Sequence, residues 1–272
     1  MMNRPFLFAG DLIAKRGKHP FSEMKTIEEA RKHLLINKNT NIFFLIKKRY
    51  VWMNKYINEF DHGIELGCGT GISELHINSK NFKLTDIMSH DWVNQIVDAQ
   101  KMPFKDSTLD FIILNNTIHH LSKPIVVLSE CSRVLKHKGK VLIQDVHLSL
   151  IMRILMNITK HESYSYNINV FDPKLVCNDP DDPWSANNAL PDLLFGNSKL
   201  FHEKIKHFKI ISKKYTEFII WPLSGGVGSL ISVPNINRKV LEFICFLDKI
   251  IVSMSKNVFP LQQQIVLSNH KM

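Results

Sequence analysis

A chain of 272 residues with 44% hydrophobic and 22% charged side chains has enough apolar content to bury a core, which excludes a disordered or low-complexity protein. Lys and Arg number 35 against 25 Asp and Glu, a formal net charge of +10 that favours anionic partners such as RNA, acidic lipid headgroups or phosphorylated glycans; the basic clusters (Lys47, Lys48, Arg49; Lys136, Lys138, Lys140) are nonetheless too short and scattered for a nucleic-acid stripe. Four distant cysteines, Cys68, Cys131, Cys177 and Cys245, without a CxxC pair exclude a zinc ribbon or a dense disulfide frame and fit a reducing compartment.

In chain order, the opening stretch MMNRPFLFAGD has too short an apolar run for a secretory signal. From Thr26 to Phe60 the text reads as helix, with Thr26 as N-cap, Glu28 and Glu29 in the first turn, and apolar residues recurring through HLLI and IFFLIKKRYVWMNKYI. The period then changes. Residues 62–67, 82–87, 94–99, 109–115 and 139–146 are short apolar runs expected to be parallel strands. Between the last two lies a helix with Ser122 as cap, Pro124 in the first turn, and Val127, Leu128, Cys131, Val134 and Leu135 on one face; Gly139 closes it after Lys136 and Lys138. Residues 148–206 read as an insertion over the ligand-binding edge of the sheet, and 208–220 and 262–268 as closing strands joined by a helix over 238–256. The expected architecture is α/β: one domain with a Rossmann-like doubly wound sheet, an N-terminal helical segment (1–60), a core (61–147), an acceptor-covering insertion (148–206) and a closing part (207–272).

The apolar segments 141–158 and 239–254 are each interrupted by charge (Asp145, Arg153; Glu242, Asp248, Lys249), which argues against a bilayer span. A cytoplasmic protein is expected. Core packing is the default reading of the amphipathic, partly basic stretches 148–160 and 238–256, and peripheral membrane contact the alternative.

The stretch GIELGCGTGISEL, residues 63–75, places glycines at 67, 69 and 71 directly after a strand. A dinucleotide fingerprint GxGxxG requires its third glycine at position 72, which is Ile72 here, and Glu65 would set a negative charge beside a pyrophosphate. Asp86 lies at the next strand end, where a carboxylate can accept hydrogen bonds from both ribose hydroxyls. DAQKMPF (98–104), LDFIILNNTIHHL (109–121) and ECSRVLKHKGKVLI (130–143) follow in order.

This ordered series resembles the class I S-adenosylmethionine-dependent methyltransferases, in particular the type 11-like methyltransferase domain, over about residues 60–147. The resemblance implies S-adenosylmethionine as cofactor. It also implies roles. Glu65, Leu66, Gly67, Cys68, Gly69 and Gly71 form the loop beneath the methionine part of the cofactor, with Glu65 orienting the loop and the ammonium region. Asp86 and Ile87 serve the ribose side, Asp98 the adenine amine, and the Ala99 N–H a ring nitrogen; Asn115 and Asn116 emerge at the fourth strand tip. In the RVLKPGG-like turn His137 stands for proline and Lys140 for the second glycine, and the eleven residues between Asp86 and Asp98 leave room for a turn or one helical turn around SHDWVNQ.

Methyl transfer is an in-line displacement, and a hydroxyl acceptor is helped by a base. The candidates are His120, ranked first because it matches the family's fourth-strand histidine, then His119, Asp145 and His147. Backbone bonding of either histidine is the plainer alternative, and adjacent side chains pointing apart make them a poor metal pair, so no metal is expected. HEKIKH (202–207) has the wrong spacing for a zinc-protease motif, HESYS (161–165) lacks a second histidine, and Asp179, Asp181 and Asp182 read as an exposed turn. Trp184, Asn187 and Asn188 either stack on and bond a sugar or ring, or anchor their own insertion; SGGVGS (224–229) allows a close backbone approach or is a simple turn. A small-molecule, lipid or glycan acceptor is the leading expectation. An RNA acceptor is the second, although Asn115-Asn116-Thr117-Ile118 lacks the Asn-Pro-Pro-aromatic signature, so nucleic acid is not the expected partner. A binding module without turnover is the third.

Overall fold

The computed structural model describes residues 27–159, 162–225 and 233–271. Thr26, the opening stretch, His161 and residues 226–229 of SGGVGS lie outside the described residues.

Seven strands form one sheet: β1 (His62–Leu66), β2 (Asn81–Asp86), β3 (Gln95–Ile96), β4 (Leu109–Asn115), β5 (Leu135–Val146), β6 (Phe208–Thr216) and β7 (Gln262–Asn269), in the order β3-β2-β1-β4-β5-β7-β6. β1 to β5 pair in parallel, and β7 runs antiparallel to both β5 and β6. The chain moves outward from β1 to β3 and then returns to place β4 on the other side of β1. That reversal opens a crevice at the carboxyl ends of β1 and β4, where doubly wound sheets bind ligands.

The helices are α1 (Ile27–Ile36), α2 (Asn41–Val51), α3 (Pro124–Val134), α4 (Leu150–Thr159), α5 (Leu190–Phe195), α6 (Ser198–Lys204), α7 (Ile220–Leu223) and α8 (Arg238–Met254). Strand alternation divides the core between two faces. Ile112 and Leu114 of β4 join Ile64, Val141 and Ile143 against Val127, Leu128, Cys131 and Val134 of α3 and Leu194 and Phe201 of α5 and α6. Phe111 and Ile113 point the other way, with Leu142 and Val266, against Phe43, Ile46 and Tyr50 of α2. The second half of the 148–206 segment is thus part of the core: Leu190, Leu194, Phe195 and Phe201 are fully buried.

Several expected boundaries shift for physical reasons. The N-terminal helical stretch breaks at 37–40, and Thr40, whose hydroxyl accepts from the Phe43 N–H at 3.4 Å, begins α2. Helix α3 has Lys123 rather than Ser122 at its N-cap, without a side-chain cap, and ends at Val134 because Leu135 already pairs with Leu109. The following turn places Lys138 at φ 62°, so Lys138, not Lys140, takes the left-handed position that suits glycine. No helical turn forms between Asp86 and Asp98.

Two buried charges tie the halves of the chain together. Arg49 on α2 donates to both carboxylate oxygens of Glu217, just past β6, at 2.8 and 2.7 Å. Asp248 on α8 accepts the N–H groups of Phe218, Ile219 and Ile220 at 2.8–3.1 Å, satisfying donors that lead into α7. On the outer face of α8, Val240, Phe243, Phe246, Ile250 and Met254 are exposed, as are Leu150, Ile154 and Ile158 of α4, so these amphipathic segments are not fully absorbed by core packing. Among the described residues no helix is long and apolar enough to cross a membrane.

Candidate active site at the carboxyl edge of the sheet

β1 delivers Glu65 and Leu66 into the core and then turns sharply. Gly67, Gly69 and Gly71 all have positive φ (69°, 49° and 63°), a conformation that side chains resist. Their surroundings differ. A Cβ at Gly67 would stand 2.9 Å from Thr117 and one at Gly71 would stand 2.5 Å from Trp92, whereas one at Gly69 would meet no described residue within 4 Å. Gly69 is therefore where the loop faces open space. The loop is held from three sides: the Cys68 N–H donates to the Thr85 carbonyl at 3.1 Å, the Gly69 N–H to Asp86 at 2.9 Å, and the Trp92 indole N–H to the Gly69 carbonyl at 2.9 Å. Arg31 of α1 bonds the Thr70 carbonyl at 2.6 Å, pairs with Glu74 and lies 4.8 Å over the Trp92 ring.

Glu65 is fully buried, with one oxygen accepting from the Tyr50 hydroxyl at 2.7 Å and the other from the Ser73 hydroxyl. The side chain expected to orient the loop and the ammonium region braces the loop through these two hydroxyls. Burial pushes its pKa up to about 8, with the Ser73 and Tyr50 hydrogen bonds pulling the other way. The folded chain therefore keeps this proton to about pH 8, while the unfolded carboxyl releases it near 4.5. Stability from this group is full below the lower value and is lost as pH rises through the upper one. Glu65→Gln, which stays uncharged, is expected to flatten the fall in Tm between pH 5 and pH 9; thermal unfolding of both proteins across that range checks it, and parallel profiles would refute it.

At the neighbouring strand tips, Asp86 ends β2 with its second oxygen accepting the Met88 N–H at 3.0 Å, and Ile87 beyond it is 56% exposed. Asp98, just past β3, is exposed, one oxygen accepting the Gln100 N–H at 2.8 Å, and Ala99 is half-buried beside it. Asn115 ends β4 and Asn116 follows at φ 53°, its N–H bonded to the Gln144 carbonyl at 2.7 Å. Thr117 reaches back to the Leu66 carbonyl at 3.2 Å, so the β1 and β4 tips are joined directly.

The histidines lie one turn further along. Asp145, fully buried at the end of β5, accepts the Ile118 N–H at 2.8 Å and bonds His119 Nδ1 at 2.5 Å. Burial opposes charge on His119, but Asp145, with Glu162 beyond it, prevails and holds its pKa above the usual histidine value. For His120, burial and the adjacent His119 push the pKa down to about 4. Its Nδ1 lies 3.1 Å from the Ser185 carbonyl, so the ring is neutral at pH 7 with its proton on Nδ1 and its lone pair on Nε2. The two rings do not diverge: their centroids are 4.2 Å apart, with Glu162 alongside, contrary to the expectation that neighbouring side chains point apart. A local 3-10 turn over Ile118–His120 makes this possible.

Other candidates are absorbed by structure. His147 is held on both ring nitrogens, by Asp192 at 2.7 Å and the Lys256 carbonyl at 2.8 Å. Asn187 and Asn188 are buried and bonded within their own segment, to Ser165 and to Glu162 and Ser163. Asp179 and Asp182 accept N–H groups two residues on, as turn residues do, and His202 accepts the Ile210 N–H at 3.1 Å. Tyr50, Ser73, Arg31, Trp92 and Glu162 are the site residues that sequence reasoning missed. Glu162 had a signal in HESYS, but its partner His119 lies in a distant segment.

Residues 64–143 match the family described as methyltransferase domain. An uncharacterised protein of Methanocaldococcus jannaschii is 30% identical over 110 residues, covering 38% of this chain and 54% of its own length. A sterol 4-C-methyltransferase of Caenorhabditis elegans is 30% identical over 108 residues, covering 33% and 32%. The chain thus spans about half of the first relative and about a third of the second. Among solved structures, a SAM-dependent methyltransferase of Archaeoglobus fulgidus superposes with a TM-score of 0.52 at 17% identity, over 87% of this chain and 99% of that one, and shares the fold. The family match over residues 64–143 and the sheet order together mark this stretch as a methyltransferase domain with the class I fold, the kind that uses S-adenosylmethionine.

Proposed function

We propose that the chain, acting as one domain, transfers the methyl group of S-adenosylmethionine to a small-molecule, lipid or glycan acceptor received between the sheet edge and the 148–206 segment. The observation that carries this reading is the space over Gly69 that no described residue fills, beside Asp86 at the β2 tip. The residues fit the cofactor: a loop bare of a side chain at Gly69 admits its methionine part, Asp86 keeps lone pairs for the ribose hydroxyls, exposed Ile87 offers an apolar surface to a ring, and Asp98 and the Ala99 N–H offer an acceptor and a donor to adenine. Glu65, Leu66, Gly67, Cys68 and Gly71 set the loop's path, and Asn115 and Asn116 border the methionine end.

When bound, S-adenosylmethionine supplies an electrophilic methyl group. The chain's own part is placement and, for a hydroxyl acceptor, proton removal. His120, with its lone pair on Nε2, is the nearest base, and the buried Asp145–His119 pair holds the turn that presents it. Calorimetry with S-adenosylhomocysteine tests the reading: a binding heat with a Kd in the micromolar range supports it, and no heat from folded protein overturns it. Release of S-adenosylhomocysteine from acceptor pools then separates an enzyme from a binding module.

The exposed apolar residues of α8 and α4, interleaved with Arg238, Lys239, Lys249 and Arg153, favour an amphiphilic acceptor or peripheral contact with a membrane over a nucleic acid. The sterol named for the nematode relative is of the same chemical class.

A further inference from the structure

His119, His120 and Glu162 each bring one donor atom to a common place, all within 4.8 Å of one another. His119 Nε2 stands 3.9 Å from Glu162 Oε2, and the imidazole rings are 4.2 Å apart and tilted by 43°. What separates this group from a chance cluster is the far side of each histidine. His119 Nδ1 is held by the Asp145 carboxylate at 2.5 Å, and His120 Nδ1 by the Ser185 carbonyl at 3.1 Å. A carboxylate or carbonyl on one ring nitrogen fixes the tautomer and leaves the lone pair on the other, the outer arrangement that metal-bound histidines use. Glu162 is oriented differently: Oε2, the oxygen that faces His119, also accepts from the Asn188 amide at 2.8 Å. The three ligands come from two segments, the turn after β4 and the loop after α4, and Asp145 behind them is anchored by the Ile118 and Val146 N–H groups at 2.8 Å.

We propose that His119 Nε2, His120 Nε2 and the Glu162 carboxylate bind one divalent transition-metal ion of zinc type, leaving a coordination position for an oxygen atom of the acceptor. Two imidazoles and one carboxylate form a donor set that zinc accepts with a fourth position open, and cobalt and nickel accept it as well. Bonds of about 2.0–2.2 Å to a shared ion bring ligand atoms to about 3.3–3.6 Å, so the 3.9 Å separation closes by a small side-chain rotation. The ion's role toward the acceptor rests on the methyl-transfer reading; the ion site itself does not. With the ion bound, the His120 lone pair is a ligand rather than a base, and a hydroxyl on the ion is acidified by the metal charge instead.

The test uses the full chain stripped of metal with a chelator, titrated with Co2+ by visible absorption and with Zn2+ by calorimetry, alongside S-adenosylhomocysteine binding. One equivalent of Co2+ giving the intense ligand-field bands of a low-coordinate site is expected. His120→Ala and Glu162→Gln should each weaken Zn2+ binding tenfold or more. Asp145→Asn, which changes only the group behind His119, should weaken it about 10–100-fold, and the exposed His62→Gln control should leave it unchanged. Thermal unfolding shows which variants fold. Absent Co2+ bands, or Zn2+ affinity unaltered in both folded ligand variants, overturns the ion site even where S-adenosylhomocysteine binds. Site-specific Co2+ binding without S-adenosylhomocysteine binding supports the ion site and overturns the methyl-transfer reading alone.

Discussion

Gly69→Val is expected to abolish S-adenosylhomocysteine binding while the protein stays folded. The position has φ 49°, so a side chain there costs about 1–2 kcal/mol of backbone strain. In a chain of this size that lowers Tm by only a few degrees, at about 2–4 °C per kcal/mol. Among the described residues nothing else resists the substitution, because a Cβ would meet none of their atoms within 4 Å. All of the added bulk enters the space assigned to the cofactor. Gly67 and Gly71 make poorer tests: a Cβ at either stands under 3.0 Å from Thr117 or Trp92, so their variants disturb the loop itself. Calorimetry paired with thermal unfolding reads both halves of the prediction. An affinity loss of more than about a hundredfold, about 2.7 kcal/mol, with a small change in Tm is the expected pair; wild-type affinity in the valine variant would show that the ligand passes elsewhere.

Arg49→Leu is expected to be the most destabilising single change at a charged residue. Arg49 and Glu217 form a two-point ion pair whose side chains are 9% and 8% exposed. Removing the guanidinium leaves a carboxylate in the interior with the Gln144 amide at 3.4 Å beside it. Breaking such a pair from one side costs about 3–5 kcal/mol, most of it the penalty of an uncompensated charge rather than the worth of the pair. The double variant Arg49→Leu with Glu217→Gln should therefore recover a large part of the loss. Urea unfolding of the single and double variants checks this; a double variant no more stable than Arg49→Leu alone would refute the charge explanation.

Strands β1, β2 and β4 were legible because each is a short apolar run whose tip carries a residue of distinct chemistry, whereas of the expected 94–99 run only Gln95–Ile96 forms β3. Ile64 and Leu66 lead to the glycines, Leu84 to Asp86, and Ile112 to Leu114 lead to the asparagines. The α3 boundary was not, since Leu135 continues the helical period and only its pairing with Leu109, 26 positions earlier, makes it strand. The braces of the site were hidden for the same reason. Tyr50 to Glu65, Arg31 to Thr70 and His119 to Glu162 are contacts between segments with no shared local pattern. Asn187 and Asn188 looked suited to a sugar because polarity is visible in a sequence, but what satisfies it is not.

The clasp that α1 places on the glycine loop bears on how this chain can be dissected. Arg31 and its stacking partner Trp92 straddle the stretch that carries the signature residues, and Arg31 itself lies 33 positions ahead of the first residue of the family match. A fragment excised at 64–143 would retain the glycines, Asp86, Asp98 and the histidine pair, but lose the arginine clasp, the tyrosine behind Glu65 and the two strands β7 and β6 that extend the sheet beyond β5. A fragment expected to keep these distant supports must therefore run from α1 to β7, more than twice the length of the family match.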